Sequence, residues 1–537
     1  MPLIKKPDSG TTGSFYQDDF GGFNPRFAGV TIRIASQAAY DEFLSFLRSP
    51  TYGGLPGDKD ESLGPILIRS VMEHEIRHYH DFLLGSYNGM LFRSRLQAVL
   101  NGIKALRAVK ELPGDVFPVP LSAWMMLSAE EREAQLEEWA TFSINGKKPS
   151  VIPVPIVSKE ALLGPREPGV HTIGDDDPVA AFSLAAENAA YGYAGIQALV
   201  HGVEDSHSPE YRRLITPANI QEVLALTVQL GAIWQAQGEQ QAHIFAQFFL
   251  GQSNLPSARL WRLLLDLSLR GTPSITGHED ELEKAFAASF QVMIIGTWTL
   301  LGSHIKEGES ASPAERLTNL LKLLLADPAE LHTTRNAALS VAATWDYWDT
   351  ALGLNPWRES LKESLDWASR GVDFYGQLHE ISAPGWEKDF HATLHNMMKA
   401  YAEDQRVLIE HVLEQPEDLV GVTRYLSLSA DTLPMPLFRL QMDNESALDL
   451  SALDQKKFEP VMTVDSEGGV GVLSYLLKMS LPTYHQRAGD AIAFEYVAQL
   501  CDMAFSQQES YGRAPLLKKK LLSDLEKTVG KTLRSIV

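Results

Sequence analysis

Residues His74-Glu75-Ile76-Arg77-His78 spell HExxH. Two histidines four positions apart meet only if the segment is an α-helix, where they stack one turn above the other on one face. They can then close around one metal ion. Glu75 falls about 100° further round the helix, within reach of a water on that ion. The motif therefore demands a helix, a buried face for the ion, and at least one further ligand from elsewhere in the chain.

The flanking sequence meets the first two demands. TYGGLPGDKDESLGP (51–65) reads as a loop, and Pro65 suits the first turn of a helix running to about Leu84. On that helix Leu67, Val71, His74, His78 and Asp81 share one side, so the histidines continue an apolar stripe.

Composition narrows the class of protein. The 537 residues carry a formal charge of −21, and no nucleic-acid partner is expected of so acidic a chain, because phosphate attraction needs clustered Lys and Arg. Cys501 is the single cysteine, which rules out intrachain disulfides and a cysteine-rich zinc fold. The N-terminus lacks a signal-peptide core, and no run of about 18 apolar residues predicts a membrane span. The expectation is a soluble, cytoplasmic protein, with signal-independent export left open and the oligomeric state undetermined.

Periodicity predicts a mainly α fold in three consecutive parts: an N-terminal arm with a strand and a short helix (1–60), a helical metal-site domain (61–310) with a Pro-rich insertion (112–178), and a helical C-terminal lobe (311–537). AGVTIRIA (28–35) is the best strand, and 37–49 reads as a short helix. Further helices are predicted at 89–111, 128–141, 179–203, 217–250, 256–270, 279–304, 313–325, 329–352, 358–380, 386–414 and 487–508. Residues 462–477 could hold a strand-turn or lead into a helix. Trp345, Trp348, Trp357 and Trp367 predict a tightly packed lobe, and the basic tail from Lys518 to Arg534 reads as a solvated helix face.

A catalytic zinc normally takes three protein ligands. In one zincin class the third is the last histidine of HExxHxxGxxH. Here Asp81 occupies the glycine position and Leu84 the final one, so that class is excluded. The chain instead resembles gluzincin-type metallopeptidases, over about residues 60–250, on HEIRH and a glutamate of a later helix. Glu222 and Glu187 both qualify. Each is the only charged residue of a long stretch (216–238 and 178–202), and a lone carboxylate on an apolar helix is costly unless paired or metal-bound. Thr216-Pro217 starts a helix that puts Glu222 in its second turn. Glu222 is the preferred third ligand, with Glu187 the alternative.

The resemblance implies hydrolysis of a peptide bond in a peptide or protein substrate, with one zinc held by His74, His78 and Glu222 and with Glu75 as general base. Tyr191, His201 and His243 are candidate oxyanion donors. Asp81 could orient a ligand imidazole. Two other readings stay open. Glu75-x-x-His78, a second Glu204-x-x-His207, Glu187 and Glu222 also match the ligand pattern of a helical di-iron oxidase. Alternatively, the helices form a binding or assembly protein with a structural or vestigial metal site. His391 and His395 form another i,i+4 pair but lack the glutamate.

Overall fold

The computed structural model describes residues 21–24, 29–34, 63–111, 115–119, 214–251, 255–269, 281–302, 312–326, 340–429, 432–442, 481–505 and 515–535, with a few isolated positions between 130 and 192. Within them the fold is mainly α, with few and short strands. The helices expected at 37–49, 128–141 and 179–203, and the segment 462–477, lie wholly or almost wholly outside the described residues.

The chain divides into two compact units, each assembled from separated stretches: residues 1–89 with 206–490, and 90–205 with 491–537. Most of the stretch read from sequence as a C-terminal lobe thus belongs to the unit that carries HEIRH.

In that first unit, α1 (Leu63–Leu84) carries the motif and ends at Gly85, and α2 (Ser86–Ala108) follows at once. Helix α3 (Pro217–Gln237) packs along α1. The pair runs antiparallel: Gln229 reaches Ser70 in the first half of α1, and Glu222 reaches His78 in the second half. Helix α3 starts where the sequence predicts, with the Thr216 side chain accepting from the Asn219 amide and Pro217 following the cap. It is buried on most sides, with Ile220, Val223, Leu224, Leu226, Val228 and Leu230 all in the core. The single helix expected over 217–250 is broken at Gly238, whose φ of 80° favours a residue without a Cβ, and α4 (Glu239–Leu250) continues beyond it.

Helices α5 (Pro256–Leu269), α6 (Glu281–Leu300) and α7 (Pro313–Ala326) enclose α3. Gly296 lets α6 approach closely, since a methyl there would stand 2.6 Å from Leu224 Cδ2. Helix α8 (Val341–Ala351) leads to the hairpin of α9 (Trp357–Ile381) and α10 (Trp386–Glu414), which turns at Gly385 with φ 128°. Asp349 ties this region together: its carboxylate accepts from Trp298 Nε1, Arg316 and the Trp357 amide. Trp345, Trp348 and Trp357 are core residues, whereas Trp367 is half exposed under Arg370. Two short helices, α11 (Glu417–Val420) and α12 (Val422–Ser429), complete the wall around α1 and α3.

A three-stranded sheet lies beside α1. Strand β1 (Gly21–Asn24) pairs antiparallel with β2 (Gly29–Ile34), which matches the predicted strand. In chain order β3 (Val116–Val119) comes next, and β4 (Leu437–Met442) then pairs parallel with β2. Among the described residues β1 is therefore an edge strand, and it rests on α1.

In the second unit, the residues of α2 from 90 onward meet those of α13 (Leu481–Phe505) from 491 onward. Arg95 and Asp502 form a buried ion pair, and Gly102 makes room for Cys501. Helix α14 (Pro515–Val529) is followed by β5 (Thr532–Ser535), which pairs parallel with β3. The Pro-rich stretch at 113–120 thus contains a strand that its prolines argued against. Among the described residues each strand of this two-stranded sheet has one unpaired edge, which tolerates Pro118.

Candidate metal centre

His74, His78 and Glu222 form a group able to hold a metal ion, and no other such group occurs among the described residues. The Nε2 atoms of His74 and His78 are 3.1 Å apart, and Glu222 Oε2 lies 3.7 Å from the first and 3.2 Å from the second. Three ligand atoms at the corners of a zinc tetrahedron with bonds of about 2.05 Å stand about 3.3 Å apart. The spacing and the donor set, two imidazoles and one carboxylate, therefore fit zinc. His74 and Glu222 are buried, while His78 is partly open.

Charge supports a cation. Arg77 Nε is 2.8 Å from Asp81 Oδ1, and both side chains are fully buried, so these two charges cancel. Glu75 and Glu222 remain, two carboxylates in a desolvated setting that a divalent ion would neutralise once His78, which offsets one of them in the metal-free protein, gives up its proton. Burial pushes the Glu75 carboxyl above its usual range despite the neighbouring histidines. Burial also acts on Glu222, but His74 and His78 outweigh it and hold that carboxyl well below the usual range.

His78 shows the same coupling from the other side. Burial alone would lower its pKa. The hydrogen bond to Glu222 and the charges of Glu75, Glu222 and Asp81 raise it to about 8. In the metal-free protein His78 is thus protonated at neutral pH, and zinc must displace that proton. Zinc binding at pH 7 is expected to release at least about one proton per ion, and affinity should climb with pH until about pH 8. Calorimetric titration in buffers of different ionisation enthalpy checks this, and a release near zero at pH 7 would contradict it. The same pKa lies above the unfolded value. Its contribution to metal-free stability is therefore full below about pH 6.5 and lost as pH rises through about 8.

Glu75 projects from a different face of α1, in line with Tyr79 and Phe82. That face meets β1. The Phe23 ring packs against Phe82 at 5.4 Å and Tyr79 at 6.2 Å, and the Phe23 backbone beside Glu75 works slightly against the upward shift of its carboxyl. Glu75 Oε2 is buried with no hydrogen-bond partner. Nothing in GGFN marks it as a strand over the motif, and only its position just before β2 could have pointed there.

The other sequence candidates divide as follows. Asp81 is held by Arg77, and neither of its oxygens has a hydrogen-bond partner, so it bonds to neither imidazole. His243 is half-buried on α4 and is not part of the gathered group. Glu187, Tyr191, His201, Glu204 and His207 lie outside the described residues. His391 is buried in the α9–α10 hairpin with its Nδ1 2.5 Å from Ser382 Oγ, and His395 stands beside Gly376.

Sequence reasoning overlooked two residues that fix α1. Arg77 donates to the Leu419 carbonyl at 2.8 Å and to Thr297 Oγ1 at 2.9 Å. His80 sits between Tyr425 Oη at 2.7 Å and the Pro434 carbonyl at 2.8 Å. That carbonyl can only accept, so Nε2 carries the proton and Nδ1 accepts from Tyr425. Burial pushes the His80 pKa down to about 3, and the ring stays neutral. No described helix is long and apolar enough to cross a membrane. Comparison with family models, curated proteins and solved structures finds no match to this chain.

Proposed function

We propose that this chain is a zinc-dependent hydrolase that cleaves a peptide bond. The observation that carries the reading is the meeting of His74, His78 and Glu222 at ligand spacing, with the carboxylate of Glu75 buried beside them. His74, His78 and Glu222 would hold the ion. Bound zinc supplies two things, acidification of a water and polarisation of a carbonyl. Glu75 takes the proton of the attacking water through Oε2, the oxygen with no other partner, and returns it to the leaving amine. The water's oxygen ends on the carbonyl carbon as the C–N bond breaks. Low exposure of the ligands keeps bulk water from competing for them and strengthens local electrostatics.

Metal analysis of purified protein tests the reading directly. About one zinc per chain is expected, removable by chelation and restored by zinc, with His74→Ala losing the ion. Protein that neither retains nor rebinds zinc at neutral pH, together with a His74→Ala variant of unchanged fold and metal content, would refute it. Two irons per chain would favour oxidase chemistry instead.

A further inference from the structure

We propose that Asp404 of α10 is a positioning residue for the metal centre. Through the hydroxyl of Tyr79 it fixes the rotation of α1 about its own axis, and so the aim of His74, His78 and Glu75. The inference rests on the metal centre of the hydrolase reading. It assigns a role to a carboxylate that lies 325 residues beyond Tyr79 in the chain.

The contacts form a continuous chain. Tyr79 leaves α1 one turn beyond Glu75 and directly follows His78. Its ring is buried, and its hydroxyl donates to Asp404 Oδ2 at 2.5 Å. Arg487 Nη1 donates to both oxygens of Asp404, at 3.0 and 3.3 Å, so the acceptor is itself held in place. The next residue of α10, Gln405, donates to the Leu83 carbonyl at 2.8 Å, one turn beyond Tyr79 on α1. Helix α10 thus grips α1 at two successive turns, and all of these residues belong to the first unit.

These bonds oppose rotation in particular. At 100° per residue, Arg77 and Tyr79 stand on either side of His78. Arg77 is bound to the Leu419 carbonyl of α11 and to Thr297 of α6, and Tyr79 to α10. Turning α1 in either sense pulls at both sets. The site is sensitive to such a turn. An imidazole nitrogen stands about 6 Å from the helix axis, so a rotation of about 10° carries it about 1 Å. Metal–ligand distances tolerate only about 0.2 Å. The Tyr79 hydroxyl, at the tip of a longer side chain, acts at a larger radius still, and its bond resists the same small rotation.

Cobalt(II) in place of zinc tests this without relying on activity, since its visible absorption follows the arrangement of its ligands. Tyr79→Phe keeps the buried ring and removes only the hydroxyl, while Asp404→Leu removes the acceptor. Each should weaken cobalt(II) binding by at least about tenfold and shift the absorption bands. The double variant should bind no more weakly than Asp404→Leu, because the two residues act through one bond. Asp404→Asn keeps an oxygen for the tyrosine and gives up the charge opposite Arg487. It should lose stability to denaturant yet bind cobalt(II) as the wild type does, a split that a merely structural carboxylate would not produce.

Wild-type affinity and spectrum in Tyr79→Phe would overturn the proposal. So would additive losses in the double variant, or an Asp404→Asn protein that binds as weakly as Asp404→Leu. If Asp404→Leu does not fold, Tyr79→Phe set against Asp404→Asn decides. Peptide cleavage by the zinc-loaded wild type separates the two readings. If it cleaves while the variants bind cobalt(II) normally, only the positioning role falls. If the variants behave as expected and the wild type cleaves nothing, the positioning role stands and the hydrolase reading falls. A wild type that binds neither ion overturns both.

Discussion

Glu75→Gln is expected to keep its zinc and lose about 10²–10⁴-fold in kcat on any peptide the wild type cleaves. The two effects separate because Glu75 is not one of the ligands. The gathered donor atoms belong to His74, His78 and Glu222, whereas Glu75 leaves α1 about 100° away, on the face that meets β1. Glutamine has the same shape, so the site keeps its geometry and only the ability to take a proton is lost. Glu222→Gln should do the reverse. It weakens the carboxylate ligand and removes the charge that raises the His78 pKa, so the ion is lost first and activity follows. Zinc content measured beside kcat for the two variants distinguishes base from ligand. A Glu75→Gln protein with wild-type turnover, or one that loses its zinc as Glu222→Gln does, would show that the roles are assigned wrongly.

The group able to hold a metal ion was legible because its residues break the rules of their surroundings. Two histidines and one carboxylate sit on helices whose neighbours are apolar, and charge in such a place needs a partner. Element boundaries were legible where the chemistry of helix ends is local: Thr216-Pro217 opens α3, and the limits of α10 at 386 and 414 coincide with the predicted ones. What the sequence hid is contact between distant segments. Arg77 carries no long-range partner within reach of a sequence reading, and it is fully buried with Thr297 and Leu419, more than two hundred residues away, accepting its protons. Asp81 reads as a candidate partner for an imidazole, yet Arg77 lies one turn back on the same helix and claims it. Strand β1 is four residues long with two glycines, too short for period-two alternation to register. Gly238 divides a stretch whose apolar pattern runs on without interruption.

The burial of Arg77 leads to the second large effect, which concerns stability. Arg77→Met is expected to destabilise the protein by about 3–5 kcal/mol, because removing one member of a buried pair leaves the other charge without compensation. Both side chains are wholly shielded, and the guanidinium also satisfies the Leu419 carbonyl and Thr297 while lying over the Tyr425 ring at 5.2 Å. Methionine fills much of the volume, so the loss is electrostatic rather than a cavity. In the wild type, burial already lifts Asp81 to about 6 even though Arg77 opposes it. A folded pKa above the unfolded value means that this group's contribution is complete below about pH 4 and is lost as pH rises through 6. Without Arg77 the upward shift must grow, so the Arg77→Met defect should be small at pH 4–5 and large at pH 8. Asp81→Asn in the Arg77→Met background removes the stranded charge and should recover part of the loss. Denaturant unfolding of metal-free protein across that pH range reads all three effects. A defect independent of pH, or a double variant no more stable than Arg77→Met, would mean that Arg77 acts through its backbone-carbonyl bond and packing instead of through Asp81. The stakes extend to the site, because Arg77 lies between Glu75 and His78 on α1, and a register shift of this turn would move the base and the second imidazole together.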